Sequence, residues 1–252
     1  GSEMCIRDRF SNPEKHEMFR ERMIRRIQEK QAAEWVALCT ANGGVVATKY
    51  QTTQQAIHDP DIRANGHIIE SSDGNLQLGP LARLTKTPGQ PKIEPEDGNK
   101  LIEKWLSDPR QETDKSSSDR PPLEGVKVVE IATIIAAPLG SSFLADMGAE
   151  VIKIEPVGGD PFRGLMMGLG SARVNAGKRS IGLNLKSDQG QQIALDLIKS
   201  ADVLIHNFRP GVPERLGIGY EAVKALNPKI IYLQSNGYGP DGPGALRPST
   251  HP

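Results

Sequence analysis

The stretch from Leu123 to Lys186 constrains this chain more than any other, because two strand patterns, a connecting helix and a second polar turn follow there in quick succession. Val126 to Ile131 is a short β-branched run. Ala136-Ala137-Pro138 opens a helix with proline in the first turn, where a missing N–H costs least, and Gly148 closes that helix before a second strand, Val151 to Ile154. The spacing predicts a β-α-β unit. A right-handed crossover makes its strands parallel, so the loops at their carboxyl ends, Ala132 to Ala137 and Glu155 to Arg163, share the sheet edge at which open α/β sheets take their ligands. Further strand-like runs, Arg179 to Leu185, Val203 to Ile205 and Ile230 to Leu233, follow at α/β spacing, with helices expected at Gly190 to Ser200 and Tyr220 to Leu226. The second half therefore reads as α/β, with a parallel, doubly wound, Rossmann-like sheet.

The first half has a different grammar. Pro13 to Lys30 is mostly charged, with Met18, Phe19, Met23, Ile24 and Ile27 at three- and four-residue steps, the spacing of an amphipathic helix. Ala32 to Thr40 reads as a second helix stopped by Asn42-Gly43-Gly44, Val45 to Tyr50 as a short strand, and Thr53 to His58 as a helical turn. From His67 to Leu84, apolar pairs broken by Ser72-Asp73-Gly74-Asn75 predict a hairpin. Thr87 to Pro122 then holds six prolines and the Ser116-Ser117-Ser118 run, with one amphipathic island from Asn99 to Leu106, which is the composition of a linker. Three parts are expected: a small α+β module at 10–88, a Pro/Ser-rich linker at 89–121, and the sheet-building part at 122–252. The opening GSEMCIRDR matches nothing downstream and is read as foreign to the fold.

Charge excludes some functions. Lys+Arg and Asp+Glu both number 31, so no global field selects nucleic acid or an anionic membrane, and an anion has to be held by local arrangement. Cys5 and Cys39 make neither a metal cluster nor a disulfide framework, which together with the absence of an apolar run of membrane-spanning length reads as a cytoplasmic, metal-free protein.

Three clusters carry possible chemistry. In Asn175-Ala176-Gly177-Lys178-Arg179-Ser180 and Leu183-Asn184-Leu185-Lys186, cations stand at a strand entrance and exit, which suits either phosphate at the sheet edge or a solvated basic face. His206-Asn207-Phe208-Arg209-Pro210-Gly211 follows a strand end, with Arg215 shortly after. It offers an amide, a stacking face and two guanidinium groups, the set an adenine nucleotide needs, or else a polar turn with Phe208 in the core. The loop Gly237 to Gly242 allows close backbone approach to a ligand, or is simply surface. Glu155 ends the second strand where a dinucleotide fold binds ribose, but the first turn lacks G-x-G-x-x-G, which disfavours a nicotinamide cofactor. No G-x-S-x-G elbow is present, and His206 beside a strand end reads as a structural donor rather than a base.

In order and spacing, LEGVKVVEI, GAEVIKIEPVGGDPFR, NAGKRSIGLNLK, ADVLIHNFRPGVPERLGIGYEAVKALNPKIIY and GYGPDGP resemble the amino-terminal half of the family III CoA-transferases, the CaiB/BaiF group, which also contains acyl-CoA racemases. AEWVALCTANGGVVATKYQTTQQAIHDPDIRANG is similar to that family's small-domain segment, which ordinarily lies far after the glycine loop. The resemblance implies the end of one unit followed by the start of a second, and a protein moving coenzyme A between carboxylic acids through acyl-CoA thioesters. It also implies a homodimer or an intrachain pseudo-dimer. By matching position it assigns CoA to Ile135, Ala136, Leu183, Lys186, Asn207, Phe208, Arg209, Arg215, Gly237, Tyr238 and Gly239. Lys186 and Arg215 are expected on phosphates, and the neighbourhoods of 183 and 207–208 around adenine. Pro156 stands where the family has an arginine, which removes one phosphate contact. The family's nucleophilic aspartate lies beyond the glycine loop; Asp241 is too early to match it, and Ser249-Thr250-His251-Pro252 is offset from the racemase histidine. No catalytic residue is assigned. An acyl-CoA racemase or epimerase, or a non-catalytic CoA-binding or scaffold unit, are the alternatives.

Overall fold

Extended runs of four to six residues cannot satisfy their own backbone, and the computed structural model, which describes residues 12–41, 43–91, 97–108, 119–164 and 168–249, pairs five of them in one sheet. The chain divides into two compact units, one ending at Thr53 and one running from Gln54. The Ser116 to Ser118 run and His251 lie outside the described residues.

In the first unit, α1 (Pro13–Gln28) starts where its sequence directs. Asn12 accepts the N–H groups of Glu14 and Lys15 at 3.0 and 3.2 Å, and proline takes a position that needs no donor. Trp35 in α2 (Ala32–Thr40) donates its indole N–H to the Ile27 carbonyl at 2.8 Å, joining the two helices. Val45 to Tyr50, expected as a strand, is not one. It joins no ladder among the described residues, and all its residues but Ala47 are exposed, Tyr50 at 99%; β propensity without a partner does not make a strand.

The second unit opens with α3 (Thr53–Ile57) at its boundary, α4 (Pro60–Ala64) and the hairpin of β1 (Ile68–Glu70) with β2 (Leu76–Leu78). The turn falls where the polar cluster placed it, with Gly74 at φ +82° and the Ser71 N–H donated to the Asn75 carbonyl. The amphipathic island forms α5 (Gly98–Ser107).

The sheet consists of β3 (Lys127–Ile131), β4 (Glu150–Glu155), β5 (Lys178–Gly182), β6 (Val203–His206) and β7 (Ile231–Gln234), all parallel, in the order β5-β4-β3-β6-β7. The first strand lies in the middle, and the chain runs outward one way and then returns to run outward the other. That is doubly wound topology, with its switch point between β3 and β6. Alternation along each strand then builds two cores. Val128, Val151 and Ile205 pack beneath α6 (Ala136–Asp146). Val129, Ile131, Ile154 and Leu204 face α8 (Asp188–Lys199) and α10 (Tyr220–Leu226), with Ala194, Ile198 and Val223. Four short helical turns were not expected from the sequence: α4, a 3-10 turn (Pro161–Gly164), α7 (Leu169–Val174) and α9 (Val212–Arg215). β5 ends three residues before its expected limit, because Leu183 turns into the core and Ser187 caps α8 by accepting the Gly190 N–H.

Candidate functional site

Two loops leave the switch point, 132–135 after β3 and 207–211 after β6. They are tied by one side chain: Asn207 accepts the Thr133 N–H at 3.1 Å and donates to the Thr133 carbonyl at 2.8 Å. Ile134, the next residue, has φ +69°, a left-handed conformation that a β-branched side chain rarely takes and that costs on the order of 1–3 kcal/mol. Its N–H points at the Asp160 carboxylate, 3.3 Å from both oxygens.

Asp160 belongs to a buried ionic group. Lys153 Nζ reaches Glu130 at 2.7 Å, Asp160 at 2.9 Å and the Ala132 carbonyl at 2.9 Å, while Lys178 Nζ pairs with Glu130 and donates to the Pro138 carbonyl. All four side chains are at most 1% exposed, and two cations balance two carboxylates, so the charges are mutually neutralised rather than offered to a ligand. Burial pulls the Lys178 ammonium below its ordinary range, against the opposite pull of Glu130. The signal was present in the sequence: a glutamate and a lysine stand in the middle of apolar runs, VVEI and VIKI, at paired positions of β3 and β4. Glu155 accepts the Arg163 Nε at 2.9 Å and the Asp160 N–H at 2.8 Å; the Arg163 hydrogen bond is the main cause holding its carboxyl below the usual range. A carboxylate so engaged is not offered to a ribose.

Between the two loops is a cleft of about 490 Å³, lined by Thr133, Asn207, Phe208, Arg209, Pro210, Val212, Arg215 and Leu246. Four expected site residues, Asn207, Phe208, Arg209 and Arg215, meet there; both arginines are exposed at the carboxyl edge of the sheet. Gly211, at φ +81°, lets the chain turn beneath Arg215, whose guanidinium would stand 3.3 Å from a Cβ at that position. Phe208 is half-buried, with its ring stacked 5.7 Å from His206 and one flank on the core around Leu204. Thr133 and Pro210 fall within stretches the sequence marked, 132–137 and 206–211, whereas Val212 and Leu246 escaped it, being uncharged residues that only the fold collects.

The other expected residues lie elsewhere. Ile135 caps α6 and Ala136 begins it, just past the cleft wall. Lys186 is exposed, with its N–H on the Asn184 side chain. Leu183 is 9% exposed and packs in the core around Ile154 and Ala194, so its side chain is not offered to a ligand. Gly237, Tyr238 and Gly239 lie in the loop after β7 and are not among the residues that line the cleft. Asp241 in that loop pairs with Arg83. His206 is fully buried. Its Nδ1 accepts the Phe208 N–H, which leaves Nε2 to donate to Tyr232 Oη at 2.8 Å, and Tyr232 donates onward to the Ile218 carbonyl. Burial draws its pKa down to about 4, with Glu214 opposing, so it is a neutral structural donor. Among the described residues no three His, Cys, Asp or Glu side chains cluster as a metal site, and no helix is long and apolar enough to cross a membrane.

Comparison with known proteins places this geometry. A model of CoA-transferase family III matches residues 5–99 and 123–251. An acyl-CoA transferase of Fusarium pseudograminearum is 44% identical over 147 residues, 52% of this chain and 32% of that protein. An acetyl-CoA:oxalate CoA-transferase of Acetobacter aceti is 44% identical over 134 residues, 51% of this chain and 34% of that protein. The crystal structure of Rv3272 from Mycobacterium tuberculosis, in its orthorhombic form, superposes with TM-score 0.50 at 38% identity, over 51% of this chain and 36% of that one. The chain spans about a third of the length of such curated relatives. Since the matched stretches take in nearly all of the sequence and one of them carries both loops of the switch point, the chain belongs to CoA-transferase family III.

Proposed function

We propose that this chain binds coenzyme A, as an acyl-CoA, in the cleft between β3 and β6, and that it is part of an enzyme moving CoA from an acyl-CoA to a carboxylic acid. The observation that carries the reading is the placement of Arg209 and Arg215 beside Phe208 at the switch point of a family III sheet. Guanidinium groups match phosphate oxygens in charge and geometry, and an aromatic face suits a base. The relatives are named for transfer among oxalate, malate, glutarate and phenyllactate partners, and the acid taken by this protein is a matter for assay. Residues 10–88 are read as the small-domain end of one unit and 122–252 as the start of a second, joined by the linker at 89–121. On that reading the two units pair as a homodimer does, either within one chain or between two.

Isothermal titration of CoA, with NAD as control, tests the reading. Wild-type chain is expected to bind CoA and not NAD, and Arg209→Ala with Arg215→Ala to weaken it at least about tenfold, since a hydrogen bond to a charged group contributes roughly 1.5–3 kcal/mol. Lys186→Ala asks whether the phosphate path extends beyond the cleft. Equal affinity in the double variant would sink the cleft as the site.

A further inference from the structure

The loop after β7 is held by residues from the other end of the second unit. Asn65 follows α4 and is 6% exposed. Its Nδ2 shares two hydrogens among the carbonyls of Tyr238 at 2.8 Å, Asp241 at 2.7 Å and Asp61 at 2.7 Å, and its Oδ1 accepts the Asp241 N–H at 3.2 Å. Asp61, 8% exposed, accepts the Gly244 N–H at 2.6 Å. One carboxamide thus engages three backbone groups of a loop more than 170 positions away, and the Asp61 carboxylate engages a fourth. The loop's glycines are explained by the same contacts. A Cβ on Gly239 would lie 2.1 Å from the Asn65 amide, and one on Gly242 or Gly244 would lie 2.6 or 2.4 Å from the Asp61 carboxylate. Glycine recurs here because two side chains press into the backbone.

The clamped segment leads into the cleft. The Gly244 carbonyl accepts the Arg247 N–H at 2.8 Å, and the turn so formed carries Leu246, which lines the cleft with Thr133, Arg209 and Arg215. We infer that Asp61 and Asn65 are positioning residues: through loop 238–244 they set Leu246 against the arginine-lined cleft, so that affinity there depends on a segment lying before the linker in sequence. This rests on the reading of the cleft as a CoA site. It also implies that the two family-matching stretches work as one composite site rather than as independent pieces, since residues of the first fix a wall of the second.

The test uses the full chain. Hydrogen exchange at the Asp241 and Gly244 amides, without ligand, reads the clamp; titration of CoA reads the cleft. Asn65→Asp keeps size and the accepting oxygen but removes the donors, and Asp61→Ala removes the acceptor, while Asp61→Asn keeps an oxygen for the Gly244 N–H. The first two are expected to speed exchange of both loop amides at least tenfold and to weaken CoA by a similar factor, with exchange in β3 and β4 unchanged; Asp61→Asn is expected to restore both. If exchange accelerates while CoA affinity stays at the wild-type value, the clamp is structural only and the positioning role is lost. Unchanged exchange in a folded Asn65→Asp variant overturns the clamp itself. Failure of the wild-type chain to bind CoA removes the reading of the cleft and the positioning role with it, a result separable from the others because it appears before any substitution is made.

Discussion

At the scale of single residues, His206 shows how tertiary placement decides what a titratable group does. The sequence puts it at a strand end beside ligand-type residues, but the fold buries it and gives each ring nitrogen one partner, Phe208 on one side and Tyr232 on the other. Its folded pKa, about 4, lies below the ordinary 6.5, so the neutral form is favoured by folding. The associated stability is fully present above pH 6.5 and is lost as pH falls from there toward 4. The difference corresponds to about 3 kcal/mol at the acid end, since one pKa unit is about 1.4 kcal/mol. Urea denaturation at pH 7 and pH 4 should therefore show a larger loss in wild type than in His206→Gln, which keeps only the loss from groups such as Glu155; an equal loss in both would assign it wholly to those groups.

At the scale of elements, β3, β4 and β5 are joined by ions as well as by their ladders. Glu130 and Lys153 are register partners, Asp160 arrives from the loop after β4, and Lys178 opens β5, so four buried charges bind three strands and the loop that carries Ile134. Two cations against two carboxylates hold only while the set is complete. Lys153→Met leaves Glu130 and Asp160 without their shared cation, and removing one partner from a buried pair costs about 3–5 kcal/mol. The denaturation midpoint should fall accordingly with its slope unchanged, and Glu130→Gln added to Lys153→Met should recover part of the loss. A midpoint shift below about 1 kcal/mol would show that water reaches the group.

At the scale of the whole molecule, equal numbers of acidic and basic residues leave no far field, so attraction of a polyphosphate has to come from the arginines of the cleft. Such exposed cations are screened over about 10 Å at 0.1 M salt. CoA affinity is expected to fall several-fold over a tenfold rise in NaCl in the wild-type chain and to be nearly salt-independent in the Arg209→Ala, Arg215→Ala variant. The sequence by itself determined the elements whose signal is local. Val126 to Ile131, Val151 to Ile154 and Tyr220 to Leu226 were legible because β-branched runs, helix stops and periodicity act within a few residues. The cluster at 207–215 was legible because its residue types are unusual together. Local propensity failed for Val45 to Tyr50, which lacks a partner strand, and the positional match at Leu183 did not foresee that the core would take its side chain. Only the tertiary structure decided that Asn207 ties one loop to another, that Glu130 and Lys153 neutralise each other, and that Asn65 reaches the glycine loop. Each depends on a contact between residues far apart in the chain, and hydrogen bonds and ion pairs are set by distance in space, which no spacing along the sequence encodes.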